Sequence, residues 1–97
     1  MDIRLKRAYV TADPADGYRV LVDRLWPRGV SRERAHLDAW EKELAPSTEL
    51  RRHRPQLTGL RRRARDGTVT LVYSAADVEH NDARVLANVL RRGLPSA

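Results

Sequence analysis

The 97-residue sequence contains no cysteine, which excludes a disulfide framework, a thiolate nucleophile and any cysteine-ligated zinc or iron–sulfur site. Three histidines are present, and no spacing matches a metal motif, so neither metal nor cofactor is expected. No apolar run approaches the roughly 18 residues of a membrane span. The opening MDIRLKRAYV places charges where a signal peptide needs an apolar stretch. The expectation is a cytoplasmic protein with no membrane partner. The length supplies material for one core, so residues 1–97 are read as a single domain. A domain of this size buries only about 60–65% of its unfolded surface, and its stability must come from packing or from self-association. A homo-oligomer is therefore among the expected states.

Lysine is scarce as well. Of nineteen cations only Lys6 and Lys42 are lysines, and against thirteen acids the net charge is +6. A coding preference for arginine explains this as readily as recognition chemistry does. The charge is local: Arg51 to Arg65 holds seven arginines and no acid, contributing +7, while the rest of the chain sums to −1. This stretch lacks the aromatic residues that single-strand binders interleave for stacking. It is read first as a solvated helix face, and second as a surface for weak, non-specific nucleic-acid contact.

What is present is a pattern of alternating strands and helices. Ile3 and Leu5 alternate with Arg4 and Lys6 and lead into Ala8-Tyr9-Val10, which predicts a half-buried strand. Asp13-Pro14 and Asp16-Gly17 form a turn cluster, and Tyr18 to Val22 follows as a second strand. The short connection favours an antiparallel pair, although a single helical turn at Pro14–Asp16 permits a parallel one. Ser31 is placed to cap a helix running through Leu37, Trp40 and Leu44 until Pro46 ends it. Ser47 can cap a short segment stopped by Pro55, after which Leu57, Leu60 and Ala64 form a helical face closed by Asp66-Gly67. Thr68 to Tyr73 is dense in β-branched residues and is the clearest strand. The last helix starts at Asn81-Asp82, carries Val85, Leu86, Val89 and Leu90 on one face, and ends at Gly93. This order predicts a small layered α/β domain, with a mainly parallel sheet of about three strands flanked by helices.

In such a sheet, ligands sit beyond the C-terminal ends of the parallel strands. Two loops qualify, Asp23-Arg24-Leu25-Trp26-Pro27-Arg28-Gly29 and Ser74 through His80-Asn81. Arg24 and Arg28 suit a bidentate grip on phosphate or carboxylate, Trp26 would wall the pocket, Tyr73 is a further ligand-binding candidate, and Asn81 opens a helix whose N–H groups favour an anion. His80, beside Asp77 and Glu79, and Asp23 are the acid–base candidates. Each has a plainer reading. Trp26 before Pro27 also suits a core plug, Arg24 and Arg28 can pair with Asp23 or Glu33, and His80 can serve as a solvated cap.

From Asp16-Gly17-Tyr18 through Asp23-Arg24-Leu25-Trp26-Pro27-Arg28-Gly29 the chain closely resembles the YeaO-like branch of the domain of unknown function 488, a bacterial and archaeal family. The resemblance continues through Lys42-Glu43-Leu44-Ala45-Pro46-Ser47-Thr48-Glu49-Leu50-Arg51, Thr70 to Ala75 and Glu79-His80-Asn81. It implies a compact cytosolic α/β domain whose reaction is not established. It also draws Lys42, Ser47, Thr48 and Arg51 towards the site if their loop folds over it. Two departures stand out. The family's motif usually leads into a Trp-Phe pair and a longer charged helix, whereas here Arg51-Arg52-His53-Arg54-Pro55 passes almost directly to Leu57. Some distant relatives place a cysteine and a histidine near Asn81-Asp82, and this chain has no thiol to use there. The leading expectation is a site for a small anionic ligand, phosphate or nucleotide-like, with or without catalysis. Its rivals are a nucleic-acid-binding accessory protein using the Arg51–Arg65 face and a non-catalytic partner-binding domain.

Overall fold

The computed structural model of the chain describes residues 2–23, 25–41, 54–74 and 82–92. It contains strand β1 (Asp2–Arg7), a 3₁₀ turn (Pro14–Asp16), β2 (Tyr18–Leu21), helix α1 (Arg32–Ala35), β3 (Ala39–Trp40), α2 (Arg54–Asp66), β4 (Thr68–Tyr73) and α3 (Asp82–Arg92). The four strands form one sheet in the order β1-β4-β2-β3, and every pairing is parallel. The α/β class is as expected, with one strand more than the three read from sequence.

The sheet has two unlike faces, because side chains alternate along each strand. Ile3, Val20, Val22, Val69 and Leu71 turn to one side and pack against Leu57, Leu60 and Ala64 of α2 and Leu86, Ala87 and Leu90 of α3. The helical spacing read from sequence for α2 is thus its buried face. On the other side Ala8, Leu21 and Val72 form a smaller core closed by Trp26 and Leu37. Beside them runs a polar seam. Arg19 Nε donates to the Ala35 carbonyl at 3.1 Å, Lys6 Nζ donates to Asp16 at 3.0 and 3.1 Å, and Thr70 Oγ1 donates to the Asp16 carbonyl at 2.7 Å. Arg19 Nη1 also pairs with Asp16 Oδ2.

Several expectations are corrected. The first two strands are neither antiparallel nor neighbours, since β4 lies between β1 and β2. The 3₁₀ turn at Pro14–Asp16 makes this connection possible in so few residues, with a capping box in which Asp13 accepts from Ala15 N and Asp16 accepts from Asp13 N. Gly17 then leaves the turn at φ +64, a conformation that suits glycine alone. The first strand also ends at Arg7 rather than running to Val10, and the second ends at Leu21.

The helix expected from Ser31 through Leu44 is the larger correction. Ser31 does cap it, its Oγ accepting from Arg34 N at 3.1 Å, but the helix stops at Ala35 because His36 adopts the left-handed conformation at φ 46. Beyond it the backbone pairs with β2 instead, with Asp38 N donating to the Arg19 carbonyl at 2.8 Å and Glu41 N to the Leu21 carbonyl at 2.9 Å. Leu37 and Trp40 therefore belong to an edge strand and its approach. Pro55 stands in the first turn of α2, where proline is tolerated, rather than ending a helix. The cap expected at Ser47, the start at Asn81 and the end at Gly93 lie outside the described residues.

Candidate functional site

With the strands parallel, the ends of β2 and β4 emerge side by side, as the strand-end reading requires. Val22 N donates to the Val72 carbonyl at 3.0 Å, carrying the pairing one residue past β2. The next side chain, Asp23, then turns towards β4. Its Oδ2 accepts from Ser74 N at 2.6 Å and from Ser74 Oγ at 2.5 Å. These two short bonds to one carboxylate oxygen tie the ends of β2 and β4 together. The pairing of Asp23 with a neighbouring arginine, the plainer alternative, does not occur among the described residues.

A second tie joins the same loop to β3. Trp40 Nε1 donates to the Asp23 carbonyl at 2.7 Å, and the Trp40 ring meets the Trp26 ring edge-on, with centroids 5.6 Å apart and planes at 71°. Trp26 is half-buried against Ala8, Leu21 and Val72, and its Nε1 donates to the Val30 carbonyl at 2.6 Å, closing the turn around buried Pro27. Trp26 is thus partly the core plug read from sequence and partly an aromatic wall. Trp40 remains 39% exposed. Between the rings and the start of β3 lies a cleft of about 220 Å³ lined by Trp26, Arg32, Leu37, Asp38, Ala39 and Trp40.

The remaining sequence candidates divide. Arg28 is exposed on the same loop. Tyr73 is half-buried on the opposite face of the sheet, packed against the core beneath the helices, so the structure does not bring it to Trp26. Arg24, Lys42, Ser47, Thr48, Arg51, His80 and Asn81 lie outside the described residues. Sequence reasoning missed Ser74 as the partner of Asp23, and Trp40 and Arg32 as lining of the cleft. Trp40 read as part of a helical face, which hid it.

Also unforeseen is the seam on the open side of the sheet. Arg19 and Asp16 are almost fully buried, and Lys6 is mostly so. Burial pushes the Asp16 carboxyl up, but hydrogen bonds from Lys6, the Asp13 backbone N–H and Arg19, together with the Lys6 charge, outweigh it and hold the group below the usual carboxylate value. A cavity of about 510 Å³ lies beside this seam, bordered by Gly17, Arg19, His36 and Asp38. Asp38 is engaged there, its Oδ2 accepting from Arg19 N at 2.8 Å. Among the described residues no group of three or more His, Cys, Asp or Glu is placed to hold a metal ion, and no helix is long and apolar enough to cross a membrane.

Comparison with known proteins gives this geometry a family. A model described as the inactive DUF488-N3 subclade matches residues 2–56, and the model of the domain of unknown function DUF488 matches residues 52–90. The uncharacterized protein YeaO of Escherichia coli is 40% identical over an alignment of 113 positions, covering 94% of this chain and 98% of that protein. That alignment is longer than this chain, so YeaO carries positions with no counterpart here. Uncharacterized proteins of Mycobacterium bovis and Mycobacterium tuberculosis are 46% identical over 57 residues, 56% of this chain and 48% of theirs. No solved structure matches. The chain therefore belongs to the family of the domain of unknown function DUF488.

Proposed function

We propose that this protein is a non-catalytic binding domain for a small anion carrying an aromatic ring, a nucleotide-like ligand, held in the cleft that Trp26, Arg32 and Trp40 line beside β3. The observation that carries the reading is the cleft walled by Trp26 and Trp40 with Arg32 on its lining. An aromatic wall offers a face for a flat ring, and a guanidinium offers paired N–H donors to a phosphate. Arg28, exposed on the adjoining loop, is the second cation within the same segment.

The non-catalytic part of the reading rests on Asp23. As an acid–base candidate it needs a free carboxylate facing a ligand. Instead its Oδ2 accepts two short bonds from Ser74, which makes it a clamp between strand ends. The matching subclade model is itself described as inactive, which supports the same reading.

The protein's two tryptophans are both in the cleft, so tryptophan fluorescence reports on it directly. Titration with AMP should quench that fluorescence saturably, and inorganic phosphate should compete. At about ten times the dissociation constant, AMP should raise Tm by roughly 6–11 °C, because a ligand bound only by the folded state stabilises it by mass action. Arg28→Ala and Arg32→Ala should each weaken both effects. Absence of quenching at millimolar AMP, or quenching indifferent to both substitutions, would remove the cleft as the binding site. Turnover of a phosphate ester, lost on Asp23→Asn, would replace the non-catalytic reading with a catalytic one.

A further inference from the structure

The helical layer carries charge that the strand-end site does not use. Helices α2 and α3 together hold eight arginines against two aspartates, an excess equal to the +6 of the whole chain. The remainder of the protein is therefore neutral. Both helices pack on the same face of the sheet, through Leu57, Leu60 and Ala64 of α2 and Leu86, Ala87 and Leu90 of α3. The basic stretch seen in sequence as one helix is thus half of a two-helix surface.

The arginines of this layer differ from the cations on the other face in one respect. On the open side of the sheet, Arg4, Lys6 and Arg19 each pair with a carboxylate of Asp2 or Asp16. On the helical side, no arginine forms an ion pair among the described residues. Two are committed within the fold: Arg63 stacks on Tyr18 at 4.0 Å, and Arg91 Nη2 donates to the Ile3 carbonyl at 2.6 Å. Among the described residues Arg62, Arg65, Arg84 and Arg92 are exposed and pair with no carboxylate, and Arg61 keeps a buried Nε with no acceptor.

We infer that the outer face of α2 and α3 is a docking surface for the phosphate backbone of double-stranded nucleic acid, contacted without base recognition. Charge complementarity carries the inference, since a concentrated, unneutralised arginine face gains from releasing the counterions condensed on a duplex. The surroundings choose among polyanions. The exposed large hydrophobic residues of the described structure are Tyr9, Val10, Leu25 and Trp40, none of them on α2 or α3. A surface with no exposed large apolar side chain among its described residues lacks the anchor that seats a helix in a membrane interface. A surface without aromatic rings lacks the platforms that bind unstacked single strands. Contacts made to phosphate alone position a duplex but do not read it.

The test is fluorescence anisotropy of a labelled mixed-sequence duplex of about 20 base pairs across a salt series, in which log affinity should fall linearly with log salt. Four to five phosphate contacts give a slope of about −3.6 to −4.5, a loss of about 150- to 500-fold between roughly 50 and 200 mM salt. Combined Arg62→Ala, Arg65→Ala, Arg84→Ala and Arg92→Ala should abolish binding at low salt and leave AMP quenching of the tryptophans intact. The corresponding four lysine substitutions should restore most of the affinity and the slope. Failure of the native protein to bind the duplex at low salt would overturn the inference. So would alanine variants that bind as well as the native protein, tight sequence-selective binding that persists above physiological salt, or binding to phosphatidylserine vesicles without binding to the duplex.

Discussion

Asp23 and Ser74, 51 residues apart in sequence, meet through two hydrogen bonds to one carboxylate oxygen at the ends of neighbouring parallel strands. These bonds tie the ends of β2 and β4 together. Asp23→Ala leaves the Ser74 N–H and O–H without their acceptor in a half-buried position, which should cost about 1–3 kcal/mol. Ser74→Ala removes only the hydroxyl bond and should cost about 1 kcal/mol. Urea unfolding of the two variants checks the order, with Asp23→Ala the more damaging.

Trp26 occupies a half-buried position, and the cost of losing it should reflect that. Trp26→Ala should destabilise by less than the about 3–5 kcal/mol of a fully buried large aromatic residue. Trp26→Phe keeps most of the packing and loses the bond to the Val30 carbonyl, so about 0.5–1.5 kcal/mol is expected. Thermal melts of both variants decide this, and an unchanged Tm for Trp26→Ala would contradict the packing against Ala8, Leu21 and Val72.

Gly17 has no substitute. Its φ of +64 disfavours any other residue, and an added Cβ would sit 2.3 Å from the Thr68 carbonyl oxygen at the start of β4. The backbone conformation alone costs about 1–3 kcal/mol, and the clash adds to it by pushing β2 from β4. Gly17→Ala should therefore lower Tm by more than 10 °C, roughly, for a domain of this size. Gly29→Ala, which meets no atom within 4 Å, should pay only for its own φ of +75 and serves as the comparison.

Acid should unfold the protein partly through Asp16. The folded state holds this carboxyl below the usual value near 3.8 despite its burial, so its contribution is fully present above that value and declines as pH falls below it. Asp2, held low by hydrogen bonds from Thr68 and Arg4, acts in the same direction from the surface. Asp16→Asn should lower stability at neutral pH and flatten its fall below about pH 4. Circular dichroism followed across an acid titration separates the two profiles, and parallel profiles would deny Asp16 this part.

Much of the fold was legible because its signals are local. Thr68 to Tyr73 is dense in β-branched residues, and Leu57, Leu60 and Ala64 keep helical spacing, so both elements appear where sequence places them. The order of the strands was not legible, since nothing between Arg7 and Tyr18 states that β4 will enter between β1 and β2. Trp40 misled because its spacing from Leu37 fits a helix as well as an edge strand, and His36 in the left-handed conformation decided the matter. Of the candidate site, Asp23 and Trp26 could be read from a dense motif. Their partners Ser74 and Trp40 could not, because those contacts exist only once β4 and β3 flank β2.

The central claim, a ring-and-phosphate site in the cleft lined by Trp26, Arg32 and Trp40 that binds without turnover, is tested most directly by a proton–nitrogen correlation spectrum during titration with AMP. The indole N–H signals of Trp26 and Trp40 and the amide of Ser74 should shift together and saturably, and the phosphorus spectrum should show AMP unchanged after prolonged incubation. Shifts confined to residues of α2 and α3, or conversion of AMP to product, would contradict the account.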